Sequence, residues 1–233
     1  MKSTILAAYL ALAAAPATAL TEAADDGGAY FGVHVAYANR SSDWLDLGAG
    51  PLGDHHAKGA QVGVQAGYDL DLGPVFIGLD ASATPMGEAG QHIDRVFGTM
   101  TPYTELEHSR ERWSAGATAR IGIKAGAFRI YAKGGLALSR KQYELTGYFA
   151  PDVVFARSAS TRTGWIIGGG VERWISNRFS AFADYSYADF GRKLEKIYCT
   201  ATYPACGSLD PALVPVALKE SSHRIAVGLN YHF

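Results

Sequence analysis

Only two of the 233 residues are cysteine, Cys199 and Cys206. A thiolate metal site needs a second pair, or histidines at ligand spacing. Neither accompanies these two, so their expected use is a disulfide. Charge of one sign is also missing: 21 Lys and Arg stand against 22 Asp and Glu, for a net charge of −1. That balance offers no electrostatic case for nucleic acid, and no basic patch for docking peripherally on a membrane. Beyond residue 20 no uninterrupted apolar run approaches 18 residues, which excludes a transmembrane helix although 48% of the chain is hydrophobic. What the chain does hold is 27 glycines and more tyrosine (13) than tryptophan (4), a composition suited to β-structure with tight turns.

Hydrophobicity alternates with a period of two in eight segments. The first, about 29–38, sets Phe31, Val33, Val35 and Tyr37 on one face. The second, 59–70, carries Val62, Val64 and Tyr68 against Gln61, Gln65 and Asp69. After a turn at Asp71-Leu72-Gly73-Pro74, the third (75–83) opposes Ile77 and Leu79 to Asp80. The fourth, ending at Lys124, alternates Trp113, Ala115, Ile121 and Ile123 with Ser114, Thr118 and Arg120. The fifth, from Phe128, opposes Ile130 and Leu136 to Arg129 and Lys133. The sixth holds Trp165 and Ile167 opposite Gly168 and Glu172, and the seventh Phe179, Tyr185 and Tyr187 opposite Asp184. The last sets Ile225, Val227, Leu229, Tyr231 and Phe233 against Arg224, Ala226 and Asn230. Stretches 39–58, 84–110, 141–161 and 191–220 read as long loops, and they take turns with three short connections.

A secreted β-sandwich is the competing arrangement, since it too buries one face of each strand. Strands of 9–13 residues instead match a tilted crossing of a bilayer. Apolar faces free of charge, except for Arg173 at a strand end, match contact with lipid. The expectation is all-β: an eight-stranded antiparallel transmembrane β-barrel with four long outer loops and three short periplasmic turns. Lys2, the apolar stretch Ile5 to Ala15 and Ala17-Thr18-Ala19 make residues 1–19 a signal peptide, with cleavage after Ala19 or, alternatively, Ala23. Residues 20–28 would then be a short periplasmic segment and 29–233 the barrel. Export to an oxidising compartment permits the Cys199–Cys206 disulfide. Tyr37, Trp113, Trp165 and Tyr187 fall near the outer rim and Tyr68, Phe128, Phe179, Tyr231 and Phe233 near the inner rim, as two aromatic girdles.

The run Thr163-Gly164-Trp165-Ile166-Ile167-Gly168-Gly169-Gly170-Val171-Glu172, followed by 179–191 with its Tyr185-Ser186-Tyr187-Ala188-Asp189-Phe190-Gly191, resembles the opacity-type outer-membrane β-barrels of Gram-negative bacteria. These are small surface proteins related in fold to OmpA and OmpX. The residue-level match is confined to 163–191 and 225–233. The resemblance implies that Phe233 is part of the signal read by the barrel-assembly machinery.

By alternation Asp80, Arg120, Lys133, Glu172, Asp184 and Arg224 point into the lumen, as a charge network that plugs it. Lumen glycines at 63, 67, 78, 116, 168, 170 and 228 leave a second reading open, a small porin-like channel. His55, His56, His92 and His108 are candidates for a surface haem site, a property the resemblance lends to some members. Their spacing matches no ligand set, so no cofactor is expected. Glu107-His108-Ser109 is the one candidate for an acylase-like triad. Its segment reads as a loop, and adjacent strand positions point apart, so no enzyme is expected. The stretch 191–220 is apolar for an exposed loop (Leu194, Ile197, Tyr198, Leu213, Val214), either as a partner site or as an extension of the barrel wall. The expected partners are outer-membrane lipid and lipopolysaccharide, with a host or envelope component at the loops.

Overall fold

In a computed structural model the described residues are 27–46, 50–85, 89–98, 101–147, 150–199 and 213–233. The expected signal peptide lies outside them, as does Cys206. The elements are β1 (Gly28–Asp46), β2 (Gly50–Asp71), β3 (Val75–Thr84), β4 (Ala89–Gly98), β5 (Thr101–Ala125), β6 (Phe128–Gly147), β7 (Ala150–Trp174), β8 (Phe179–Cys199) and β9 (Leu213–His232).

Every pairing is antiparallel, and the β1–β9 and β3–β5 pairings close the sheet into a ring. β3 and β4 both pair with β5 and together form one stave. Thr84 opposes Ser114 and Ala89 opposes Arg110, so β4 continues along β5 where β3 leaves off. The ring therefore has eight staves.

Its stagger follows from the register. From Phe31 the direct partners run Ala66, Ala81, Ala117, Leu136, Trp165, Asp189 and Ser221, and return to β1 at Ser41, ten residues further on. With a rise of about 3.3 Å and strands about 4.8 Å apart, that stagger gives a tilt of about 41° and a radius of about 8 Å. Such an interior is just wide enough for side chains to fill.

Alternation sorts the faces. Phe31, Val33, Val35, Val62, Val64, Leu79, Ile121, Leu136, Ile167, Ile225 and Leu229 face outward, while Tyr30, His34, Gln61, Gln65 and Asp69 are buried inside. On β2 the outward positions from Ala60 to Leu70 are apolar. Tilted, they span about 25 Å, the height of a bilayer-facing band. Above it the outward face turns polar, with Lys58, Arg140, Thr161 and Lys219 exposed.

Strand replaces most of the four long loops expected from the sequence. Stretches 39–58, 84–110, 141–161 and 191–220 are largely paired strand. β7 runs fifteen residues beyond Trp165 to Ala150, about 37 Å of wall along the tilt. The reason is that hydrogen bonds between paired backbones continue without help from an apolar face. The short turns at the opposite end are as expected: Leu72 N donates to Val75 O at 2.9 Å, Gly73 N to Asp71 Oδ1 at 2.7 Å, and Gly73 and Gly126 hold positive φ of 86° and 63°.

Candidate functional site

The lumen holds two tiers of buried charge. The lower lies level with the inner aromatic rim. Asp69, at the end of β2, accepts from Arg120 through Nε at 2.7 Å and also through Nη2, and from Arg129 Nη1 at 3.0 Å. Glu172 accepts from Ser180 Oγ at 2.5 Å and Asn230 Nδ2 at 2.7 Å, with His232 Nε2 at 3.5 Å and Arg120 Nη2 at 3.8 Å. The Arg120 guanidinium stands over the rings of Tyr30, Tyr131 and Phe76 at 4.5–5.5 Å, and Arg129 over Phe76 at 4.8 Å and Trp174 at 5.3 Å. Aromatic faces thus share the stabilisation of cations that burial would otherwise penalise.

Of the six residues expected to form the network, Lys133 and Asp184 pair directly at 2.5 Å. Glu172 reaches Arg120 only as a secondary partner. Asp80 accepts instead from the Tyr30 hydroxyl at 2.7 Å. Arg224 has no ion pair among the described residues and lines the space above. The sequence reading left Asp69 and Arg129 out of the network, although Asp69 is the acid on which both arginines converge.

A whole upper tier was also missed. It lies above Tyr37 and Trp165, at the height where outward neighbours such as Arg140 and Lys219 are charged. Arg40 pairs with Glu111, and Ser139 Oγ donates to the same carboxylate at 2.9 Å. Glu220 Oε1 accepts from Lys141 at 2.5 Å, Tyr143 at 2.9 Å and Ser42 at 3.2 Å, and its other oxygen faces Arg162 Nη1 at 3.0 Å. Arg162 also reaches Glu195 at 3.3 Å and donates to Leu218 O at 2.8 Å. Three cations meet three carboxylates, all buried. Burial pushes the Glu220 carboxyl up, but Lys141, Arg162 and Arg40 outweigh it and hold it well below the usual range. Burial, joined by repulsion from Arg40, pulls the Lys141 ammonium down to about 8 against the attraction of Glu220.

Between the tiers lies a cavity of about 60 Å³, lined among others by Gln61, Thr84, Gly116, Phe190 and Arg224. It has room for a few waters. Most of the lumen glycines border no water-filled space. A Cβ at Gly67 would strike the Tyr30 ring, at Gly63 His34, and at Gly78 Asp69; at Gly228 it would lie 2.7 Å from Phe182, and at Gly170 2.7 Å from the Tyr131 hydroxyl. These glycines admit large neighbours, and of the seven lumen glycines Gly116 is the one that lines the cavity.

At the outer rim Trp165 and Tyr187 meet at 5.5 Å, and Tyr185 Oη lies 2.7 Å from His223 Nδ1. Tyr37 faces outward and Trp113 is half-buried. At the inner rim Phe179, Tyr231 and Phe233 stack edge to face at 5.2 Å, Tyr68 is exposed, and Phe128 lies under the Arg173 guanidinium at 5.3 Å.

A sequence model of the outer membrane protein beta-barrel domain matches residues 4–233. The chain belongs to that outer-membrane barrel family. Its relatives include a 31 kDa outer-membrane immunogenic protein of Brucella melitensis, 26% identical over 259 residues and covering 100% of both chains. Among solved barrels it is similar to OprG of Pseudomonas aeruginosa, with 12% identity, 89% of this chain and 97% of that chain covered, and a TM-score of 0.57. It is also similar to the outer membrane protease OmpT of Escherichia coli, with 10% identity, 93% and 99% covered, and a TM-score of 0.50. At these identities both likenesses are of fold. The family membership places the protein in the outer membrane of Gram-negative bacteria.

The remaining candidates gain no site geometry. The Glu107–Ser109 backbone lies within β5 and not in a loop, and its side chains lie outside the described set. His56 bonds to Ser41 Oγ at 3.0 Å, while His55, His92 and His108 lie outside the described side chains, as does that of Cys199. No cluster of metal-ligating side chains occurs among the described residues.

Proposed function

We propose that this barrel is a closed anchor that holds its strand extensions above the outer membrane, with a structural and surface-interaction role and no catalysis of its own. The observation that carries the reading is the occupied lumen: two tiers of buried ion pairs, with side chains filling the spaces beside most of the glycines, enclose a cavity of about 60 Å³. A solute would have to break several buried ion pairs to pass, and each pair opened without replacement costs about 3–5 kcal/mol. The function then sits on the outside. The long walls of β5 and β7, each of 25 residues, raise polar surface toward envelope or host partners. In the same reading Phe233, exposed beside Tyr231, is the contact used by the assembly machinery.

The test is a deletion strain complemented with the wild-type protein. Loss of detergent resistance or surface adherence, with uptake of small solutes unchanged, supports the reading. A fall in solute uptake that the wild-type protein restores would favour the channel instead.

A further inference from the structure

Just above the outer rim, β5 and β6 gather three arginines on their outward face. Trp113 stands directly opposite Arg140, and Arg110 opposite Gln142. Between them the register slips at Glu111/Trp113, so that Arg112 has no partner residue across the ribbon. The bulge turns its side chain outward beside the other two, while Glu111 stays buried in the lumen. Gln142 Oε1 then clamps the Arg112 guanidinium, accepting from Nε at 2.9 Å and Nη2 at 2.6 Å.

All three arginines are exposed, and among the described residues none has an acid within ion-pair distance. The nearby Glu144 accepts from Gln142 Nε2 at 2.6 Å and stands opposite Arg157. By contrast, Lys219, which stands opposite Arg192 on one side, stands opposite the acid Asp43 on the other. Three like charges on neighbouring positions repel one another unless an anion joins them. Guanidinium forks suit phosphate oxygens, which they bind in pairs.

Their depth selects the anion. Trp113 marks the top of the apolar band; Arg140 stands across from it, and Arg112 and Arg110 follow one and three residues further out on β5. In an outer membrane that is the level of the phosphorylated sugar headgroup of the outer-leaflet glycolipid. We propose that Arg110, Arg112 and Arg140, framed by Trp113 and Gln142, bind the headgroup phosphate of lipopolysaccharide. The site would fix the barrel's neighbours in the outer leaflet on one side of its wall.

The test uses the full barrel, refolded in detergent and probed by native mass spectrometry with bisphosphorylated lipid A, dephosphorylated lipid A and inorganic phosphate. The variants are Arg110→Gln/Arg112→Gln/Arg140→Gln, the same three positions changed to Lys, and Lys219→Gln on β9, which lies across the ring from β5. Gel mobility before and after boiling confirms that each is folded. The expected result is retention of bisphosphorylated lipid A by the wild type and by Lys219→Gln, roughly tenfold weaker binding in the glutamine triple variant, and an intermediate value with lysine. Equal binding by the glutamine variant would overturn the site. Equal binding of dephosphorylated lipid A would show an acyl-chain contact only, and displacement by inorganic phosphate would show a site for the free ion; either overturns the proposal.

Discussion

Replacing Asp69 with Asn removes one negative charge and little volume. Asp69 is 2% exposed and is the acid shared by Arg120 and Arg129. With asparagine in its place, Arg120 keeps Glu172 at 3.8 Å, and Arg129 keeps only the rings of Phe76 and Trp174. Leaving a buried cation without its partner costs about 3–5 kcal/mol. The aromatic faces recover a share of this, on the order of 1 kcal/mol per contact, so the expected loss is about 3 kcal/mol. Urea unfolding in phospholipid vesicles, read by tryptophan fluorescence and by gel mobility, measures it. Adding Arg129→Gln to Asp69→Asn should recover more than about 1 kcal/mol, because it removes the stranded charge. A single-variant cost below about 1 kcal/mol, the level of an exposed pair, would refute the reasoning.

Val33→Arg places a charge near the middle of the apolar band and should cost about 2–4 kcal/mol in the same assay, whereas Ala137→Ser beside the lumen cavity should cost far less; equal costs would mean the faces are assigned one residue out of register. Gly228→Val should lose about 1–3 kcal/mol, or fail to assemble, because its side chain would meet Phe182 and His34; unchanged stability would show that the lumen is slacker than described. The upper tier should respond to pH at both ends. Glu220 titrates lower in the fold than in the unfolded chain, so its contribution is complete above about pH 4.5 and is lost as the pH falls from there. Lys141 titrates at about 8 in the fold against 10.5 unfolded, so its contribution rises between those values. Protease resistance of the outer strand ends, followed from pH 3 to 10.5 in the wild type and in Lys141→Met, reads both limbs, and the alkaline rise should be absent from the variant.

The wall was legible in the sequence wherever one face met lipid. Val33, Val62, Leu79, Ile121 and Leu229 alternate with glycine or polar residues because a lipid-facing strand must be apolar on that side and need not be on the other. Above the rim that constraint ends. Arg140 and Lys141 point to opposite faces and both are charged, so the period of two vanishes while the strand continues. For that reason 141–161 and 191–220 read as loops and concealed Lys141, Glu195 and Glu220, while Arg162 falls one residue beyond the first of them. The lower tier was half visible, with Arg120, Lys133, Glu172 and Asp184 placed inside by alternation. Who meets whom depends on the ten-residue stagger, which joins Asp69 of β2 to Arg120 of β5 and Arg129 of β6 and which no local pattern encodes. Asp69, beside the turn at Asp71, read only as one more polar position.

The central claim is that the lumen is closed, and single-channel recording of the purified barrel in a planar bilayer tests it most directly. No unitary current steps are expected from the wild-type protein at neutral pH, and steps are expected from a variant in which Arg40, Lys141, Asp69 and Lys133 are all replaced by alanine. Regular, voltage-stable steps from the wild type would contradict it.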